Sequence, residues 1–256
     1  MFTLLKVEII KIRKSIPLKI MGLLMLVLSF ITAFSSLSYL DSPMGEMLEI
    51  AFYGHDAFYS SLKDTPTISA LSMITIALVV CGDFENRTLP MEIAMGYSRV
   101  QILFSKLIAV AIANILVFFP YPIGRTILQS IFVGFGYPIT TTAIMKMIAV
   151  LLVVIMVGIA ICGITLVFSF TLKKTVLVMG ISFLFIILGG NALLSFGIST
   201  PSIGAFLAHT PIGLLKEMAI AQYTPPIVLK SFIISILYIV LSGVLTFFLF
   251  NKADLK

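Results

Sequence analysis

A chain of 256 residues that is 60% apolar and 11% charged, with a formal net charge of +6, does not have the composition of a water-soluble domain. Its apolar runs are too long for a soluble core. Its basic residues never gather into a soluble module of the kind that nucleic-acid binding needs, so nucleic acid is excluded as a partner. The composition is that of an all-α, polytopic membrane protein, a single transmembrane domain over residues 1–256.

Residues 1–16 come first. Four basic residues, Lys6, Lys11, Arg13 and Lys14, interrupt the apolar region that a cleavable signal peptide would require. Phe2, Leu5, Ile9, Ile12 and Ile16 recur at steps of three and four, which predicts an amphipathic helix lying in the membrane interface, with Lys11 and Lys14 turned toward headgroups. A solvated basic tail is the alternative. Pro17 separates this segment from the first apolar stretch.

Six such stretches lie at about residues 18–40, 67–82, 102–123, 147–170, 176–198 and 231–250. Most reach the ~20 residues that a bilayer core demands; the second, held between Pro66 and Asp83, is the shortest. With six spans both termini share a side, and twelve of the seventeen basic residues fall there. The positive-inside rule makes that side cytoplasmic, at +7 against −1 outside, and the expected location is a bacterial cytoplasmic membrane.

No span carries an ionisable residue near its centre; Lys19, Lys106, Lys146 and Lys230 lie at ends, where snorkelling is expected. Ion-coupled transport therefore has no obvious site. The chain also lacks a Gly-rich phosphate loop ending in Lys and Ser or Thr, so any ATP must be hydrolysed by a partner. Paired carboxylates, His clusters and a nucleophile with its base are missing from the spans, so the chain is not expected to be an enzyme by itself. Cys81 and Cys162 lie in apolar helix, His55 and His209 in separate outer loops, and no cofactor or metal is assigned.

Between spans two and three lies a dense block of charge and helix punctuation, residues 83–106, DFENRTLPMEIAMGYSRVQILFSK. Thr88 is placed to cap a short helix with Pro90 in its first turn, and Gly96 to end it. Its apolar residues Leu89, Met91, Ile93 and Met95 distinguish it from a solvated turn, and its length is about two turns. Ser98 and Gln101 form a capping box for the third span, with Arg99 and Lys106 near the interface. The block reads as a rigid two-helix elbow.

Glu85, Thr88-Leu89, Ser98-Arg99, Ile102, Leu103 and Lys106 resemble, in residue type and register, the cytoplasmic signature of the type-2 family of ABC transporter permeases. The chain departs from that pattern at Arg87, where members often have Gly, and at Gly96, where they often have Pro. The resemblance implies that the short helix is a coupling helix seated in a groove of a separate cytoplasmic ABC ATPase, which would bind ATP and Mg. The coupling residues it implies are Glu85, Arg87, Thr88, Leu89, Met91, Glu92, Met95, Ser98, Arg99 and Lys106. It also implies a second permease subunit, identical or not, and short re-entrant helices between spans five and six. Residues 199–229 suit the latter independently, because Pro201, Pro211, Pro225 and Pro226 cut them into apolar runs too short to span.

Apolar spans favour an amphipathic cargo: a peptide antibiotic, a lantibiotic-like peptide, a drug or a lipid. The chain is similar in size to compact permeases of antimicrobial-peptide export or immunity systems, and the first outer loop, 41–66, offers five acids and the aromatics Phe52, Tyr53, Phe58 and Tyr59 to a cationic peptide. Small residues Gly158, Ala160, Gly163 and Gly180 are candidates for close helix contacts. Two other classes stay open: a non-transporting membrane immunity or regulatory protein, and an ATP-independent channel or secondary transporter.

Overall fold

The computed structural model describes residues 2–40, 53–187, 208–220 and 223–252, and every regular element among them is an α-helix. In chain order these are α1 (Phe2–Lys14), α2 (Ile16–Leu37), α3 (Gly54–Lys63), α4 (Thr65–Glu85), α5 (Thr88–Ala94), α6 (Arg99–Phe118), α7 (Pro120–Phe132), α8 (Thr141–Leu172), α9 (Thr175–Ile187), α10 (Pro211–Ile220) and α11 (Pro225–Lys252). Four stretches are long and apolar enough to cross a membrane: α2, the continuous α6–α7 pair, α8 and α11. The described residues form an all-helical fold, and its apolar helices are those of a membrane-embedded protein.

Local chemistry sets the helix boundaries. Ser15 is extended (φ −64°, ψ 113°), and Pro17 sits in the first turn of α2, where its missing N–H has no intrahelical acceptor to lose. Pro120 and Pro122 act in the same way at the start of α7, and Phe119 keeps helical dihedrals (φ −59°, ψ −39°), so the helix continues past the expected span limit at residue 123. Arg125, two residues beyond that limit, consequently lies inside α7. It is nearly buried and stands 3.7 Å from Asp64, whose carboxylate also accepts a 2.6 Å bond from Tyr121.

The centre of the molecule is α8, which packs against α4, α6, α10 and α11. Helices approach where small residues permit it. A Cβ on Gly158 would come 2.9 Å from Asn114 Nδ2 of α6, and Gly163 lies directly against Ser242 of α11, so these contacts are made within one chain. Gly180, expected to do the same, has nothing within 4 Å of its Cβ position. Along the α8–α11 seam two hydroxyls donate within their own helices: Ser169 to Thr165 O at 2.8 Å and Thr246 to Ser242 O at 2.7 Å.

The outer segments are more helical than loops. In the first, α3 turns Phe58 and Leu62 toward the core; residues 41–52, with Phe52 and three of the five acids, lie outside the described residues. In the second, α10 is ten residues long, too short to span, and buries Ile212, Leu214, Leu215 and Met218 against α3, α8 and α11. Residues 199–207 and 221–222 of that segment, and 188–198 of the fifth expected span, lie outside the described residues.

Candidate functional site

Four elements converge beneath the elbow: α1, the end of α4, α5 and the first turns of α6. On α1 the residues facing inward are Leu4, Glu8 and Ile12, one helical row at a spacing of four, while Val7, Ile9 and Ile10, and Ile16 at the start of α2, face outward. The expected apolar stripe is thus divided between protein and surroundings. Lys11, expected to point toward headgroups, instead turns inward beside Glu8, and Lys14 alone of the pair is exposed. On α5, Leu89 and Glu92 share the buried face at a spacing of three.

These turns assemble five charged side chains. Lys106 Nζ lies 2.7 Å from Glu8 Oε1, makes a short ion pair with Asp83 Oδ2, and stands 3.8 Å from Glu92 Oε1. Lys11 Nζ is 3.1 Å from Glu8 Oε1, 3.1 Å from Asp83 Oδ1 and 3.2 Å from Glu92 Oε1. Lys106 is 1% exposed, so it does not snorkel. Carboxylates from three other elements surround its ammonium, and a buried ammonium is tolerable only when so paired.

With all five groups ionised the cluster is not neutral. Three carboxylates face two ammoniums, which leaves one uncompensated negative charge, and Glu8 Oε2 and Glu92 Oε2 are both buried without a hydrogen-bond partner. Burial pushes the Glu92 carboxyl above its ordinary pKa; Lys106 and Lys11 oppose that rise without cancelling it, and the nearby Glu8 charge adds to it. For Lys11, burial alone would lower the pKa, but Asp83 and Glu8 outweigh it and hold the ammonium above its usual value.

The elbow backbone follows from its punctuation. Arg87 is the N-cap of α5 in the left-handed region (φ 55°, ψ 27°), a conformation that favours glycine. Thr88 is the first helical residue and not the cap: its hydroxyl donates to Asp83 O at 3.0 Å and Asp83 Oδ1 at 2.8 Å, tying α5 back to α4. Gly96 (φ 89°) ends the helix in a Schellman arrangement, with its N–H donating to Ile93 O at 2.9 Å and Tyr97 N–H to Glu92 O at 3.3 Å. Ser98 and Gln101 form the reciprocal capping box of α6, at 3.3 and 3.2 Å.

Two further residues carry the elbow's contacts outward. Glu85 Oε1 accepts the Thr175 N–H at 2.9 Å, at the N-terminus of α9, and this bond holds its carboxyl below the usual range. Arg99 donates to the carbonyls of Phe250 (2.5 Å) and Asn251 (2.9 Å) in the last turn of α11, with its guanidinium 5.5 Å from the Phe250 ring centre. Phe250 in turn meets Phe170 edge-on at 5.1 Å, and Phe170 meets Phe84 at 5.0 Å, so an aromatic row joins α11, α8 and α4 above the elbow.

The ten expected coupling residues therefore divide by direction. Leu89, Glu92 and Lys106 are buried, Thr88 and Arg99 are half-buried and bonded, and Glu85, Arg87, Met91, Met95 and Ser98 are exposed. Met91 and Met95, 60% and 63% exposed and one turn apart, form the outward apolar face of α5. Glu8, Lys11 and Asp83 were not among the ten. The sequence does carry a trace of Glu8, as the lone acid of residues 1–16 at a spacing of four from both Leu4 and Ile12.

At the other end of the molecule a groove of about 380 Å³ opens between α3, α7 and α8, lined by apolar residues that include Phe58, Ile127, Phe135 and Met147. No protein-family model and no curated protein matches the sequence.

Proposed function

We propose that this chain is the membrane-spanning subunit of an ATP-driven exporter of the type-2 ABC permease kind, moved by a separate cytoplasmic ATPase that docks on α5. The observation that carries this reading is the two-sided character of α5. One face presents Met91 and Met95, and the other is fixed by Leu89, Glu92 and Thr88 to α1, α4 and α6. A short helix with only a solvated role needs neither feature. Pushed from below, such a helix transmits displacement, because packed interiors shift as bodies and do not deform continuously. Glu85 extends the connection to α9 and Arg99 extends it to α11.

In this reading the spans number six: α2, α4, α6–α7, α8, α9 with the residues after it, and α11. The excess of basic residues beside α1, the elbow, the α8–α9 turn and the end of α11 puts all of these on the cytoplasmic side. A second permease subunit completes the transport path. The cargo is amphipathic, in keeping with the apolar groove beside α3 and with the absence of ionisable residues from the middle of the spans. ATP and Mg belong to the partner.

Affinity purification of the tagged chain from native membrane tests the proposal. Co-purification of an ABC ATPase is expected, and M91E/M95E is expected to release it while leaving thermal stability unchanged, since both side chains are exposed. Purification without any ATPase, together with solute flux by the chain alone in liposomes, would overturn it in favour of a channel or secondary transporter. Purification without either would leave the immunity or regulatory class.

A further inference from the structure

We propose that the ion cluster is a proton-binding site: one proton resides on Glu92 at neutral pH, and its loss loosens α5 from α1 and α6. The geometry gives three reasons. Glu8 and Glu92 each lie about 3 Å from the same Lys11 ammonium and each leaves its second oxygen buried and unpartnered. The charge count of the five groups falls one positive charge short of neutrality. No other ionisable side chain among the described residues forms an ion pair with them, so none of the described residues supplies the missing charge.

A proton fits this site better than a metal ion. Among the described residues no three carboxylate, imidazole or thiolate groups converge as metal ligation requires. A proton needs only one oxygen. Glu92 is its carrier, because Lys106 stands 2.7 Å from Glu8 but 3.8 Å from Glu92, which leaves the Glu92 carboxyl the less closely paired of the two. The groups facing Glu92 are Glu8 and Lys11 from α1, Asp83 from α4 and Lys106 from α6. Burial of Glu92 acts in the same direction, raising its affinity for the proton.

The consequence lies on the side of stability. A carboxyl whose folded pKa is raised contributes fully below its unfolded pKa, and that contribution fades as pH climbs through the folded one. Ionised Glu92 would then stand in low dielectric beside Glu8, with the two lysines already engaged. Because Glu92 is the residue of α5 that reaches both lysines, repulsion there acts on the attachment of α5 before anything else.

Infrared spectroscopy of the purified full chain in lipid nanodiscs tests this. A protonated-carboxyl band is expected at neutral pH; it should shift when glutamate is labelled with ¹³C at its carboxyl carbon, stay fixed when aspartate is so labelled, and vanish in E92Q. Amide exchange over residues 88–97, corrected for intrinsic rates, should rise with pH in the natural chain and stay flat in E92Q. No glutamate-derived acid band at neutral pH overturns the proposal, as does a band that survives E92Q or disappears only in E8Q. An E92Q chain that fails to fold overturns it too, because the amide reproduces the volume and the charge of the protonated acid.

Discussion

Lys106 Nζ lies 2.7 Å from Glu8 Oε1 although the two residues are 98 positions apart, and each side chain is 1% exposed. This pair pins the amphipathic first helix to the start of α6, and through Asp83 and Glu92 to the elbow. Truncating one member of such a pair is more damaging than removing both, because the survivor keeps its buried charge. Lys106→Met should destabilise the fold by about 3–5 kcal/mol. Glu8→Gln in the same chain should restore part of that loss, giving a coupling energy of about 0.5–3 kcal/mol. Thermal unfolding of the two single variants and the double variant in one detergent measures it; strict additivity would deny the interaction.

Arg99 presents a different case, because its bonds run to backbone. Its guanidinium supplies a positive charge and two donors to the final carbonyls of α11, where the helix dipole is negative. Arg99→Ala should fray the last turn of α11 at a cost of about 1 kcal/mol, discounted for partial exposure. Arg99→Lys keeps the charge but loses the planar fork and its stacking on Phe250, so it should recover only part of the effect. Amide exchange at residues 248–252 is the direct readout, and unchanged protection in Arg99→Ala would refute the cap.

The helical class, the elbow and its capping box are legible in the sequence because each is a local pattern: apolar run length, Gly and Pro punctuation, Ser followed three residues later by Gln. The ion cluster is not legible in that way. Its members lie at positions 8, 11, 83, 92 and 106, and only the docking of α1 against α6 decides whether Lys106 reaches water or Glu8. The division of α1 between Leu4–Glu8–Ile12 and the outward isoleucines is invisible for the same reason, since both rows have helical periodicity. Arg125 illustrates the opposite error. The apolar run ends near residue 123, yet Phe119 keeps helical dihedrals before Pro120, so the helix carries on through α7 past Arg125.

Glu85 predicts a pH dependence of opposite sign to that of Glu92. Its carboxylate accepts the Thr175 N–H, which lowers its pKa in the folded state. The resulting stabilisation is present above the ordinary carboxylate pKa and is lost as pH falls through the depressed folded value. Protection of the first amides of α9 should therefore weaken on acidification below the usual carboxylate range, and Glu85→Ala should remove that dependence. Because Glu85 is exposed, the effect is confined to α9 and should leave the global unfolding midpoint nearly in place. Acidification that leaves α9 protection unaltered would contradict this assignment.

Arg87 separates the demands of folding from those of docking. Its backbone, at φ 55° and ψ 27°, occupies a region that costs a non-glycine residue about 1–2 kcal/mol. Glycine removes that penalty but gives about 0.4–1 kcal/mol back through a freer unfolded chain. Arg87→Gly should thus stabilise the protein by roughly 0.5–1 kcal/mol, and Arg87→Ala, which keeps the strain and loses only the exposed side chain, should change little. If the Arg87 side chain also meets the proposed ATPase, both variants should weaken co-purification to the same degree while only Arg87→Gly raises the melting temperature. The left-handed backbone is set within the chain, and the partner would account only for the side chain kept there. Equal melting temperatures for the glycine and alanine variants would show that the left-handed conformation at position 87 carries no such strain.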